Sequence, residues 1–346
     1  MRRARFRRVW TVCAAVACAA TGLAGCGART ASGGPVTLTL YNGQHPQTTQ
    51  ALVAAFERRT GILVKEHDGD EDQLAAEIEE EGPATPADVF YSENSPALMS
   101  LEGKGLLEKL PASILGRVPA RYDSPAGDWV GVSARVSVMV YNTHRLTPSK
   151  LPRSILDLAS RRWKGKLALA PTDTDILPVI TSVARAVGQS RAVSWLKAVD
   201  ANASANIEPD NEAVTAAVND GRAALGVVDQ YYWYRLRAEI GARAMHSRIA
   251  YFAPGDPGYV LDVSGAGVLR SSHHLAAAEQ LVAFLVSATG QELIAHSDSF
   301  EYPLLPGVAP APGLVPLADL QPAPMGVAQL GDGTLAVQLE QEAQVI

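Results

Sequence analysis

From residue 36 onward, apolar and polar positions alternate. Val36, Leu38 and Leu40 are separated by Thr37 and Thr39, the period of a half-buried strand. Tyr41-Asn42-Gly43-Gln44-His45 breaks the alternation and reads as a loop. Leu52, Val53 and Phe56 recur at helical spacing over 48–60, and Gly61 ends that helix as a C-cap. Ile62-Leu63-Val64 predicts a second strand, and residues 73–81 an acidic helix ended by Gly82-Pro83. Asp88-Val89-Phe90-Tyr91 predicts a third strand, which runs into Ser92-Glu93-Asn94. The order is βαβαβ, the unit of a parallel doubly wound sheet.

Residues 129–141 carry the longest alternation, with Val130, Val132, Ala134, Val136, Val138 and Val140 on one face and Arg135 on the other. A strand of this length suits a hinge between two lobes. Arg135 reads most simply as a solvated side chain, though on a hinge it can present a guanidinium to an anion. Residues 166–170 predict another strand, followed by Pro171-Thr172-Asp173-Thr174-Asp175 and a helix over 176–187. Further helices hold Trp195-Leu196 and residues 214–218, with Asn211 near a helix start. The run 223–228 reads as a buried strand that delivers Asp229-Gln230-Tyr231-Tyr232-Trp233-Tyr234. Beyond it lie a turn at 255–258, a strand at 264–269, a helix at 275–287 and a proline-rich tail opened by Glu301-Tyr302-Pro303-Leu304.

Ligands of a doubly wound sheet bind outside the carboxyl ends of its strands. His45 follows the first strand, Glu93 the third, and the Tyr231–Tyr232 tandem a later one. Each has an ordinary reading: a solvated loop histidine, a first-turn charge on a helix, aromatic packing. Two phenols that face one cleft and lose their protons make a hard anionic oxygen pair, and ferric iron is the foremost ligand for such a pair. The sequence contains no HExxH, nucleophile elbow, P-loop or dinucleotide fingerprint. His273-His274 sits in a polar turn with no partner at ligand spacing and reads as solvated.

Charge and the amino terminus add compartment and partner. Residues 1–8 are basic, 9–20 apolar, and Leu23-Ala24-Gly25-Cys26 closes the segment with small residues, as an export signal does. That tetrapeptide resembles the lipobox of bacterial lipoproteins. The expectation is therefore a signal peptide at 1–25, lipidation at Cys26 and a flexible tether at 26–35. Cys13 and Cys18 leave with the leader, which excludes disulfides and thiolate metal sites from the mature protein. The formal charge of −6 counts Arg2, Arg3, Arg5, Arg7 and Arg8 of that leader, so the chain without these five carries −11. Such acidity argues against nucleic acid as a partner and suits a cation.

Seven blocks in one order complete the picture: Tyr41-Asn42-Gly43-Gln44-His45, Thr85-Pro86-Ala87-Asp88-Val89-Phe90-Tyr91-Ser92-Glu93, Trp163-Lys164-Gly165-Lys166, Tyr231-Tyr232-Trp233-Tyr234, Asp256-Pro257-Gly258, Ser264-Gly265-Ala266 and Gly290-Gln291-Glu292. With them the chain resembles the ferric-ion-binding proteins of bacterial iron ABC transporters. The resemblance implies an α/β protein of the type II periplasmic-binding-protein fold, two doubly wound lobes joined by hinge strands. It sets 36–135 plus 262–312 as lobe 1 and 136–261 plus 313–346 as lobe 2. It implies a monomeric substrate-binding lipoprotein, not an enzyme, on the extracytoplasmic face of the cell membrane. Such a protein captures ferric iron, Fe(3+), in the interlobe cleft and delivers it to an ABC permease. The family's metal ligands fall on His45, Glu93, Tyr231 and Tyr232. The alternative is a protein of the same fold for another solute, such as an organophosphonate or a ferric chelate.

Family members usually complete the iron shell with a synergistic anion such as phosphate or carbonate. Relatives that use phosphate hold it with small residues and a serine at a helix N-terminus, where this chain has Asp173-Thr174-Asp175. It also has Asp229 where relatives often have asparagine. Carboxylates there satisfy the free amides and repel phosphate, so phosphate is disfavoured. Asp173 and Asp175 read equally well as helix caps. With Arg135, Asn94 and Asn211 they are the candidate anion-binding residues, which leaves carbonate, another anion, water or an extra aspartate to complete the shell. Metal binding must ionise the phenols, so it releases protons and weakens in acid.

Overall fold

The computed structural model describes residues 36–346; the expected leader at 1–25 and expected tether at 26–35, with Cys26, lie outside the described residues. The expected amino-terminal alternation is present as β1 (Thr37–Gly43), α1 (Pro46–Thr60), β2 (Leu63–Asp68), α2 (Glu71–Glu81), β3 (Val89–Ser92) and α3 (Ser95–Gly103). α1 opens on Pro46, whose missing N–H costs nothing in a first turn, and ends at Gly61 with φ 74°, left-handed as a glycine cap permits. After the short α4 (Ala112–Leu115) come β4 (Trp129–Asn142), β5 (Leu167–Ala168), α5 (Ile176–Val187), α6 (Gln189–Ala203), α7 (Asn211–Asn219), β6 (Leu225–Asp229) and α8 (Gln230–Ile240). The chain closes with β7 (Ser247–Ala250), β8 (Leu261–Val268), α9 (Leu275–Leu285), α10 (Ala288–Ala295), β9 (Tyr302–Pro303), α11 (Val327–Leu330) and α12 (Thr334–Ala343).

The strands form a mixed sheet in the order β2-β1-β3-β8-β4-β6-β5, with β7 and β9 also on β4. β1 is parallel to both β2 and β3, whereas β8 is antiparallel to β3 and β4. β4 changes partners midway. On one edge residues 129–136 pair with β8 and 139–142 with β7; on the other, 133–134 pair with β9 and 137–141 with β6. This is the periplasmic-binding-protein fold, with β4 and β8 as the long central strands.

Three expectations change. The alternation in β4 implied one polar face, yet all of its residues are buried, and Arg135 is 0% exposed rather than solvated. The tyrosine tandem, expected at the carboxyl end of a strand, lies in the first turn of α8, which follows β6 directly. The proline-rich tail ends in α12, whose Ala336, Leu339 and Ala343 are buried where it packs against α5 and α6. Among the described residues no helix is long and apolar enough to cross a membrane.

Candidate metal centre

Each expected ligand sits where a strand ends. His45 follows β1 and is pinned by its neighbour: its backbone N–H donates to Gln44 Oε1 at 2.7 Å. Gln44 Nε2 donates in turn to Ser264 Oγ (2.7 Å) on β8 and to Glu301 Oε2 (3.1 Å). Gly43, at the end of β1, lets α2 approach, because a Cβ there would lie 2.6 Å from Glu71 Cβ. That approach brings the Glu71 carboxylate to Asn94. Glu93 follows β3, where Ser92 Oγ donates to the carbonyl of Asn94 (2.7 Å). Tyr231 and Tyr232 leave β6 on the first turn of α8 with ring centroids 4.1 Å apart and planes inclined at 35°.

The four side chains converge. Tyr231 Oη donates to Glu93 Oε1 at 2.7 Å, and His45 Nε2 lies 3.5 Å from the same oxygen. That nitrogen is buried without a hydrogen-bond partner, and the His45 ring meets Tyr231 edge-on at 5.1 Å. Asp175 joins the group: its Oδ2 accepts from Tyr231 Oη (3.1 Å) and Tyr232 Oη (2.8 Å).

Behind these four side chains lies a buried acidic network around Arg135. Its Nη1 donates to Asn94 Oδ1 (2.8 Å) and stands 3.5 Å from Glu93 Oε1 and 3.8 Å from Asp175 Oδ1. Nη2 donates to Ser264 Oγ (2.6 Å) and to Glu301 Oε1. Asn94 Nδ2 reaches both Glu71 Oε1 and Asp175 Oδ1 at 2.8 Å, and Thr174 Oγ1 donates to Glu71 Oε1 (2.8 Å). Asn211 Nδ2 lies 3.4 Å from Asp175 Oδ2. Asp173 stands one step back, accepting the backbone N–H groups of Asp175 (3.1 Å) and Asn211 (2.9 Å). The proposed anion residues therefore bond mainly to one another and to carboxylates.

Burial governs protonation here. It lowers the His45 pKa to about 4, so the imidazole is neutral at neutral pH. Burial, reinforced by Asp175 and Glu93, holds both tyrosines well above their usual range. Burial also raises Glu93 to about 8 despite Arg135, and raises Glu71 and Asp173 to about 8 and Asp229 well above the carboxylate range. For Arg135 burial opposes the charge, and the carboxylates of Glu301, Glu93 and Asp175 with the Tyr231 phenol overcome it, so its pKa is raised further.

Sequence reasoning missed Glu71 and Glu301 as parts of this site. His45, Glu93 and Glu301 present ligand atoms within 4.8 Å of one another. Glu301 is nevertheless committed elsewhere: it also takes Ser133 Oγ (2.6 Å) and Ser264 Oγ (3.3 Å) beside Arg135 and Gln44. It is the counter-charge of Arg135. The only sequence signal for it was a glutamate beside the apolar Phe300 and Tyr302.

The chain is similar to known proteins over most of its length. Residues 84–318 match the family model for bacterial extracellular solute-binding protein. The chain is 35% identical over 309 residues to the Fe(3+)-binding periplasmic protein of Serratia marcescens, covering 89% of this chain and 90% of that one. It is 36% identical over 308 residues to the major ferric iron-binding protein of Neisseria meningitidis serogroup A, covering 88% and 92%. Among solved structures, iron-bound HitA from Pseudomonas aeruginosa superposes with a TM-score of 0.85 at 40% identity, covering 89% of this chain and 99% of HitA. The chain belongs to the bacterial extracellular solute-binding protein family, transport proteins rather than enzymes, and within it stands with the ferric-iron-binding members.

Proposed function

We propose that this chain is the solute-binding component of an ABC importer and that its cargo is ferric iron, held by His45, Glu93, Tyr231 and Tyr232. The observation that carries the reading is the convergence of the Tyr231 phenol, the Glu93 carboxylate and an unpartnered imidazole nitrogen at 2.7–3.5 Å, with the second phenol, Tyr232, joined to Tyr231 through Asp175 Oδ2. Hard trivalent iron favours phenolate and carboxylate oxygens and accepts imidazole. The relatives named for ferric iron binding support the same cargo. As the ion enters, it displaces the phenol protons to solvent, and its charge replaces the hydrogen bonds that hold the phenols in its absence.

Lobe 1 comprises 36–135 plus 262–312, and lobe 2 comprises 136–261 plus 313–346. The change of β4 partners near residue 136 supports that boundary. His45 and Glu93 then come from lobe 1 and both tyrosines from lobe 2, so iron binding and lobe closure are one event. Lipidation at Cys26 tethers the protein to the extracytoplasmic face of the membrane, where it delivers iron to the permease. Joint replacement Tyr231→Phe and Tyr232→Phe abolishes tight iron binding while the far-UV circular dichroism stays unchanged. A visible tyrosinate-to-iron charge-transfer band that survives in the double variant refutes the reading.

A further inference from the structure

The loop between β5 and α5 has a feature that helix capping does not explain. Asp175 stands at the N-terminus of α5, yet its side chain accepts no N–H from that helix. The carboxylate turns toward the phenols instead. It is nearly buried, with Oδ2 on Tyr231 Oη (3.1 Å) and Tyr232 Oη (2.8 Å) and Oδ1 on Asn94 Nδ2 (2.8 Å). Asp173 fixes that orientation by accepting the Asp175 backbone N–H (3.1 Å).

The spacing of these oxygens, ordinary for hydrogen bonds, also matches that between neighbouring donors of a coordination shell. A hard octahedral cation holds its donors about 2.0 Å away and sets neighbouring donors about 2.8 Å apart. Glu93 to Tyr231, Tyr231 to Asp175 and Tyr232 to Asp175 measure 2.7, 3.1 and 2.8 Å. His45 Nε2, buried and unpartnered, lies 3.5 Å from the Glu93 end of the same run.

We propose that Asp175 is a fifth protein donor to the bound ferric ion, in the place an exogenous anion would otherwise take, so that this chain binds iron without a synergistic anion. The inference rests on the ferric-iron reading above. Charge favours it. Glu93, Asp175 and two phenolates bring four negative charges against the ion's three, and a hydrogenphosphate added to that anionic shell is repelled. Arg135, 3.8 Å from Asp175 and 3.5 Å from Glu93, offsets the excess charge from behind.

The test uses the full chain, freed of iron, in buffer purged of carbonate and free of phosphate and citrate. Iron is supplied as ferrous chloride oxidised in place by dissolved oxygen and is followed by the visible tyrosinate-to-iron band. Wild type is expected to load one ion per chain, with a band unmoved by later addition of carbonate, phosphate or citrate. Asp175→Ala and the isosteric Asp175→Asn are expected to bind about 100-fold more weakly in this buffer. Added anion restores their binding, and the band maximum then depends on which anion is added. A wild type that loads only with added anion, or variants that load like wild type without it, overturns the proposal and leaves the ferric-iron reading standing. Retention of the band by the double Tyr→Phe variant in the same buffer sinks that reading itself, so the two failures are distinguishable.

Discussion

Replacing Arg135 by Met tests how the acidic centre holds together before any iron arrives. The guanidinium is fully buried and serves Asn94, Ser264 and Glu301 by direct hydrogen bonds. Two more carboxylates lie nearby, Glu93 at 3.5 Å and Asp175 at 3.8 Å. At an effective dielectric constant of about 20, unit charges at those distances attract by about 4–5 kcal/mol each. Desolvation cancels most of that gross figure. What counts is the buried carboxylate left without a counter-charge, which costs about 3–5 kcal/mol when one partner of a buried pair is removed. Urea unfolding of the iron-free protein measures the loss, by tryptophan fluorescence and far-UV circular dichroism together, since coincident transitions license a single free energy. With m near 3 kcal/mol/M, the midpoint falls by roughly 1–1.7 M. Arg135→Lys keeps the charge but not the planar fork, and falls between the two. A Met variant within about 1 kcal/mol of wild type would refute the assignment of Arg135 as the charge that makes this cluster tolerable.

Two predictions concern regions away from this cluster. Burial lifts the pKa of Glu340, on α12, from 4.5 to about 7. Its ionisation therefore penalises the folded state, and the stability present below about pH 4.5 is lost as pH rises to about 7. Glu340→Gln is expected to be more stable than wild type at pH 8 by up to about 3 kcal/mol, with the gap closing below pH 4.5; a gap independent of pH contradicts this. Gln291 is fully buried, donates to the carbonyls of Val132 (2.7 Å) and Leu285 (2.9 Å), and accepts from the N–H groups of Leu304 (2.6 Å) and Leu305 (3.0 Å). Gln291→Leu strands these backbone groups and is expected to lower the unfolding free energy by about 3 kcal/mol or more, with a change under about 1 kcal/mol counting against it.

His45 and Glu93 were legible because a parallel βαβαβ unit sends its loops to one rim, and the alternation over 36–91 identified that unit. The tandem tyrosines stood out by composition. Their helix did not, although Asp229 as a first-position cap and Gly241 after Arg237 marked both of its ends. Arg135 was misjudged for a physical reason. Alternation reports one buried face, whereas β4 has strands on both edges and layers on both faces, so a charged residue in its middle is enclosed whatever its parity. Glu71, Glu301 and the turn of Asp175 toward the phenols lay beyond local pattern. Each acts through contacts between residues far apart in sequence: Glu71 with Thr174, Glu301 with Gln44, Asp175 with Tyr232. Carboxylates in loops look alike until the chain has closed around them.

The place of β8 in the sheet has a consequence for the order in which the protein can be made. Val89 pairs with Val268, and Trp129 with Gly267, so residues 261–268 alone bridge β3 and β4. A chain growing from its amino terminus completes both flanking strands long before the strand that unites them exists. Until then β3 and the first half of β4 each present an open edge, and the centre assembles only through contacts between distant residues, the slow kind to form. The His45–Glu93 rim is therefore translated early, but it meets its tyrosines only after almost the whole chain is available.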